Sequence, residues 1–441
     1  MKPNFYKSVA LSVLLAGSFS SIAQAGKSNA NYELRAFYGD KKDNNVVVID
    51  VKRMQLIAKV PTEGLTPYPV DRAGYLDKVY AITRGSFSMD VIDAETLENI
   101  GLIPLTHKPR SGESFNSRLG LAIVAGADQP ITSVIDVMND SVAAVTIEEQ
   151  GAPLYSDYGG GNASGHPAWL SKDRFVVIDR ARRLIQLWGI DKVQDPESLD
   201  YSWELTQLDT LNTPTSVHHI LSRNTSKLPR YEKRTFYALS EGKQAADETE
   251  GAIQPAILKL RLTGNDQLIF EDKIDLPGDA AEMGAHHADF HPDGQHIYVG
   301  STEGHLFVVD SVSKEIVTTI ETGLGTGHTR FVSAKDLAIV TNHKDTFVTV
   351  INTATHTKIK DITVSGVQQN GEILQSHTNY VSPDSMYYYA FASDNGVFFE
   401  IDLHKLKKTK REVVTGGVPV QGSFINWDDF SHTAASSSTG M

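Results

Sequence analysis

The chain contains no cysteine at any of its 441 positions. That excludes disulfides, thiolate-bound zinc, iron–sulfur clusters and C-x-x-C-H haem attachment, and it leaves no cysteine behind a leader to carry a lipid. Methionine is scarce at seven residues, so a thioether-rich copper(I) site has little to draw on. Beyond the first 25 residues no stretch is apolar enough to span a membrane, and none shows sustained helical periodicity. G-x-S-x-G and H-E-x-x-H patterns are missing. Gly159-Gly160-Gly161 has neither the spacing nor the following helix of a phosphate loop. Positive charge is also short: 41 Lys and Arg face 54 Asp and Glu, a net charge of −13. Such a balance argues against nucleic acid or an anionic membrane as partner.

The start of the chain reads as a leader. Lys2 and Lys7 precede an apolar run, Val9 to Leu15, and Ala23-Gln24-Ala25 supplies a small-residue cleavage site. Residues 1–25 are therefore expected to be a secretory signal peptide, with the run too short to span a bilayer. The layout that follows is a folded unit over 26–430 and a flexible tail over 431–441. Export to a bacterial periplasm is the simplest destination, as a monomer with no membrane insertion.

What the sequence does have is a repeat. An alternating apolar motif closing on Asp or Asn returns at Val46 to Asp50, Met89 to Asp93, Thr132 to Asp136 and Leu184 to Asp191. It appears again, degenerate, at Ala256 to Leu262, then at His305 to Asp310, Phe347 to Asn352 and Val397 to Asp402. Asp50, Asp93 and Asp136 are 43 residues apart. Each motif is flanked by further short β-rich runs. Several strands per period of just over forty residues predict an all-β fold, a single β-propeller of eight blades, with seven as the alternative. The first unit lacks its innermost strand, and Val418 to Asp428 reads as the missing one, closing the ring from the C-terminus.

Aligned on the turns that end them, four innermost strands carry histidine at one register: His166, His286, His328 and His377. The fifth unit offers His218 and His219, shifted by one and two positions. With 15 histidines in the chain, four such matches are more than drift supplies. First strands of propeller blades line the central channel, so equivalent residues form a ring about one axis. Converging imidazoles resist joint protonation, and neutral imidazole is a metal ligand. His287 remains over as a transient ligand. The loops between second and third strands add His343, Asp128, Asp179 and Asp394 as further ligands or as acceptors that orient ring nitrogens. An all-nitrogen site with one carboxylate suits zinc, copper or nickel, and the absence of cysteine does not separate them. The plainer reading of each histidine is a hydrogen-bonding residue that links blades. His107, His291, His296, His305, His356, His404 and His432 fall on turns, strand ends or outer positions and take that plainer reading.

Two segments carry a resemblance: HHADFHPDGQHIYVGSTEGHLFVVD from His286 and HTNYVSPDSMYYYAFASDNGVFFEID from His377. Both follow the strand, S/H-P-D turn, aromatic-containing strand and Asp-ended apolar strand (HLFVVD and VFFEID) of bacterial YVTN-type propellers, which the chain resembles over most of its mature length. An exported, cysteine-free propeller with inner-strand histidines is most similar to the AztD-type periplasmic zinc metallochaperones. That resemblance implies zinc held inside the propeller and passed to the solute-binding protein of a zinc or other metal ABC importer, with no enzymatic activity. The alternatives are a metal-dependent propeller enzyme (copper redox, hydrolase or lactonase) and an interaction scaffold without metal.

Overall fold

In the computed structural model the repeat becomes eight four-stranded antiparallel sheets. The structure describes residues 34–72, 76–149, 151, 162–223, 228, 232–242, 253–277 and 285–426. The expected signal peptide and tail lie outside the described residues. Blade 2 shows the pattern, with strands Pro67–Arg72, Lys78–Thr83, Ser88–Asp93 and Asn99–Pro104 running from the axis outward. Apart from three three-residue 3₁₀ turns the described chain is strand and loop, and no helix in it is long and apolar enough to cross a membrane.

Position within a blade explains the composition of each strand. Second and third strands sit between two neighbouring sheets, so both faces are buried and the run is continuously apolar, as in Asn45–Asp50 (NVVVID). Outermost strands such as Gln55–Pro61 alternate exposed and covered residues. The core therefore lies between blades. Phe37, Val46 and Val48 of blade 1 pack with Val79, Ala81 and Ile92 of blade 2, and Tyr80, Ile82 and Val91 pack with Val124 and Ile135 of blade 3.

The recurring Asp or Asn is turn chemistry. Asp93 Oδ1 accepts the backbone N–H groups of Glu95 (2.9 Å) and Thr96 (2.7 Å), and Asp136, Asp310, Asn352 and Asp402 bind their own following amides likewise. Four residues past each comes a left-handed backbone: Leu97, Asp140, Lys314, His356 and Leu406 all have positive φ.

The ring closes as the sequence predicts. Pro419–Asn426 is the innermost strand of blade 1 and pairs antiparallel with Leu34–Asp40. Aromatic packing holds this seam: the Tyr38 ring meets Phe391 at 4.7 Å, Phe424 at 5.9 Å and Phe398 at 6.3 Å. Its hydroxyl donates to Thr378 O at 2.7 Å. Phe424 also stacks on Tyr380 at 4.8 Å. Phe424→Ala therefore removes packing from both sides of the closure and is expected to cost about 3 kcal/mol. Chemical denaturation followed by fluorescence measures it; a loss below about 1 kcal/mol would show that the seam does not depend on this ring.

Candidate metal centre

The innermost strands deliver their first residues to one mouth of the channel, and backbone bonds between blades fix them there. His166 N donates to His218 O (2.9 Å), and His377 N donates to Val420 O (3.1 Å). Thr329 N, next to His328, donates to Asp289 Oδ2 (2.7 Å). Three of these strands are also bulged at the histidines, with register shifts between Val217 and His219, between Ala285 and His287, and between Thr326 and Thr329. An extra residue in one strand breaks the alternation of faces. Hence the adjacent His218 and His219 both reach the same space.

Seven imidazoles meet there. His287 is the hub: its ring lies 3.7 Å from His328, 5.5 Å from His218, 5.6 Å from His377, 5.9 Å from His343 and 6.0 Å from His219. His166 joins through His218 at 5.0 Å, and His343 and His377 lie 4.3 Å apart. Two triads, His218–His219–His287 and His287–His343–His377, each offer one ligand atom per residue within 4.8 Å of one another. A cavity of about 170 Å³ opens against the cluster and is also lined by Tyr68, Arg84, Arg110 and Gln421. A wider vestibule of about 440 Å³ shares Tyr68, Arg84, Asn162 and His377 with it and leads outward past Asp128 and Lys41.

Several rings are oriented by a partner that leaves the other nitrogen for a metal. His218 Nδ1 donates to the Glu241 carboxylate at 2.8 Å, and His343 Nδ1 donates to Gln375 O at 2.9 Å. His219 Nδ1 and both ring nitrogens of His328 are buried and make no hydrogen bond among the described residues. Buried polar atoms are normally satisfied, so this donor set is the kind a metal ion would complete. Neutral imidazoles with fixed tautomers fit zinc or copper.

The electrostatics keep four of the rings neutral. Burial, then the charges of Arg110 and Arg180, push His166 well below the ordinary imidazole range. Burial and Arg110 do the same to His218. Burial brings His219 and His343 down to about 4. The arginines are held in place: Arg180 pairs with Glu241 and donates to Asn162 O at 3.0 Å, Arg110 donates to Ser164 O, and Arg84 donates to Asn162 Oδ1 at 3.1 Å.

Of the residues the sequence singled out, the structure gathers His166, His328 and His377 with His218, His219, His287 and His343. The side chain of His286 lies outside the described residues. His287, held in reserve by the sequence reading, is the shared member of both triads. The three aspartates are occupied elsewhere. Asp128 Oδ1 accepts Lys108 N, Asp179 binds the backbone and guanidinium of Arg182, and Asp394 accepts the amides of Gln369, Asn370 and Glu372. None of them is bonded to a cluster imidazole among the described residues. In four blades the residue directly after the second strand faces the site: Arg84, Arg180, Glu241 and His343. Asp179 is next to one of these positions, Arg180. Strand-end register could have found Glu241 and the arginines; Gln375, which acts through its carbonyl, left no signal.

The molecule is thus an eight-bladed propeller with a buried polyhistidine centre at one channel mouth. No family profile and no curated protein sequence matches the chain. Solved structures do match. Apo AztD from Citrobacter koseri aligns with a TM-score of 0.57 and 14% identity, over 90% of this chain and 98% of that one. A second AztD structure from the same organism gives 0.57 and 13% over the same shares. Dihydro-heme d1 dehydrogenase NirN in complex with DHE aligns with a TM-score of 0.62 and 15% identity, over 93% of this chain and 78% of that one. At these identities the likeness is one of fold.

The depressed imidazoles set a pH dependence for the chelator-treated protein. Between pH about 6.5 and about 4 the unfolded chain takes up protons at His219 and His343 while the folded protein does not. Stability from these rings is fully present above that window and is lost as pH falls through it, on the order of 3 kcal/mol per ring. His343→Gln should flatten the dependence of unfolding free energy on pH by about one proton, about 1.4 kcal/mol per pH unit near pH 5. Urea titrations from pH 4.5 to 7.5 read this directly, and parallel slopes for the two proteins would contradict the assignment of a neutral buried His343.

Proposed function

We propose that this protein is a periplasmic zinc metallochaperone: it holds the ion among the histidines at the channel mouth and passes it to the solute-binding protein of a metal ABC importer. The observation that carries the reading is His287, one buried ring shared by two triads of potential ligands. An ion in one triad can move to the other by exchanging two ligands while the third stays bonded, so release need not pass through a bare cation in a low-dielectric cavity. The vestibule beside His377 gives a partner's own ligands an approach. The fold likeness to AztD and the leader-like start of the chain agree with an exported metal carrier. Zinc is cargo in this reading, and the chain contributes neutral, pre-oriented donors.

One observation favours a second reading. Arg84, Arg110 and Arg180 place positive charge beside His166 and His218, which suits a metal that works together with an anionic ligand. A metal-dependent hydrolase or lactonase, or a copper redox protein, would use the site so.

Titration of the chelator-stripped protein with Zn²⁺ against a competing chelator tests the carrier reading. His287→Ala is expected to weaken the tightest equivalent at least about 100-fold, whereas Asp128→Asn leaves it unchanged. Zinc-loaded protein should then donate its ion to a zinc-free solute-binding protein faster than it donates to the chelator alone. Unchanged zinc affinity in His287→Ala rejects the site, and a reversible redox wave with copper but no zinc transfer selects the second reading.

A further inference from the structure

The turn that ends the inner strand of blade 6 gathers another set of donors. His291 follows the strand Ala285–Phe290 and His296 opens the strand His296–Ser301. Between them Asp293 places Oδ2 2.8 Å from His291 Nδ1 and 2.6 Å from His296 Nδ1. The other carboxylate oxygen accepts the amides of Gln295 (2.7 Å) and His296 (3.0 Å), so the turn itself fixes the carboxylate and leaves Oδ2 for the imidazoles. A third imidazole comes from blade 7. His356 stands in the left-handed turn position described above, φ 52. Its ring is 4.7 Å from that of His296 and 6.3 Å from that of His291. Tyr298 OH lies 2.7 Å from His356 Nδ1, which orients the ring and leaves Nε2 for a ligand bond.

We infer that His291, Asp293, His296 and His356 form a second site for a borderline divalent transition-metal cation, zinc or copper(II) in class. Three imidazoles and one carboxylate are the donor set such ions take. One ligand atom from each of His291, Asp293 and His296 already lies within 4.8 Å of the others. Tetrahedral bonds of about 2.0–2.1 Å need donors about 3.3 Å apart, so the carboxylate oxygen and the two Nδ1 atoms have to open by only about 0.6 Å. The site is distinct from the central one. His287 lies four residues back along the same strand, about 13 Å away at roughly 3.3 Å per residue, at the opposite end of the blade. It is also more accessible: the His291, His296 and Asp293 side chains are 19%, 20% and 36% exposed. A soluble chelating group can reach them without entering the channel.

The test uses the full-length mature protein, stripped with chelator and titrated with Zn²⁺ and, in parallel, with Co²⁺ for its visible absorption. The variant His296→Ala/His356→Asn removes two donors; asparagine tolerates the left-handed backbone at 356. It should bind one equivalent fewer than the wild type, while His287→Ala keeps this equivalent and its Co²⁺ spectrum. Asp293→Asn preserves the turn's amide acceptor and should weaken the same equivalent at least tenfold, which covers the case of a double variant that does not fold. Equal metal content in the wild type and the folded double variant, or no metal retained by His287→Ala, overturns the inference. Failure of the central site alone appears differently, as a His287→Ala protein with wild-type stoichiometry.

Discussion

Everything at the centre follows from one constraint. When a ring of twisted sheets closes on itself, the first residues of every inner strand are forced toward a common axis, whatever their chemistry. The closure is made by Pro419–Asn426 on Leu34–Asp40 and is locked by Tyr38, Phe391, Phe398 and Phe424. Residues more than two hundred positions apart, such as His166 and His377, thereby line one cavity. Crowding imidazoles in this way is costly if they are charged, and desolvation answers by holding His166, His218, His219 and His343 neutral. A set of neutral donors aimed inward is thus a consequence of ring closure before it is a device for binding.

How much of this could be read from the chain alone depended on whether the signal was periodic. The Asp or Asn at the end of each third strand recurs because each caps the same turn, so blade count and the C-terminal closing strand were legible. Inner-strand histidines were legible as a group for the same reason. Their individual roles were not, because bulges at Val217–His219, Ala285–His287 and Thr326–Thr329 break strict alternation just where the histidines stand. An alignment that counts residues from the far turn therefore favoured His286 and set His287 aside, although His287 is the ring both triads share. Asp128, Asp179 and Asp394 each stand one residue from the position that follows a second strand, and each is bonded to backbone amides there, so the sequence alone did not show which way they face. Pairing between distant turns, as in His291, His296 and His356, has no period at all and waited for coordinates.

The arginines pose the hardest question about the centre. Arg110 and Arg180 help to keep His166 and His218 neutral, but the same field repels an incoming cation. The resolution lies in their arrangement. Arg180 is paired with Glu241, which in turn receives His218 Nδ1–H, so the carboxylate offsets one guanidinium while tuning a ligand. His343 owes its low pKa to burial with no arginine among the causes, and its Nδ1 is taken by Gln375 O. The ring that both triads share, His287, thus links imidazoles held neutral in two ways: His218 by burial together with arginine charge, His343 by burial alone.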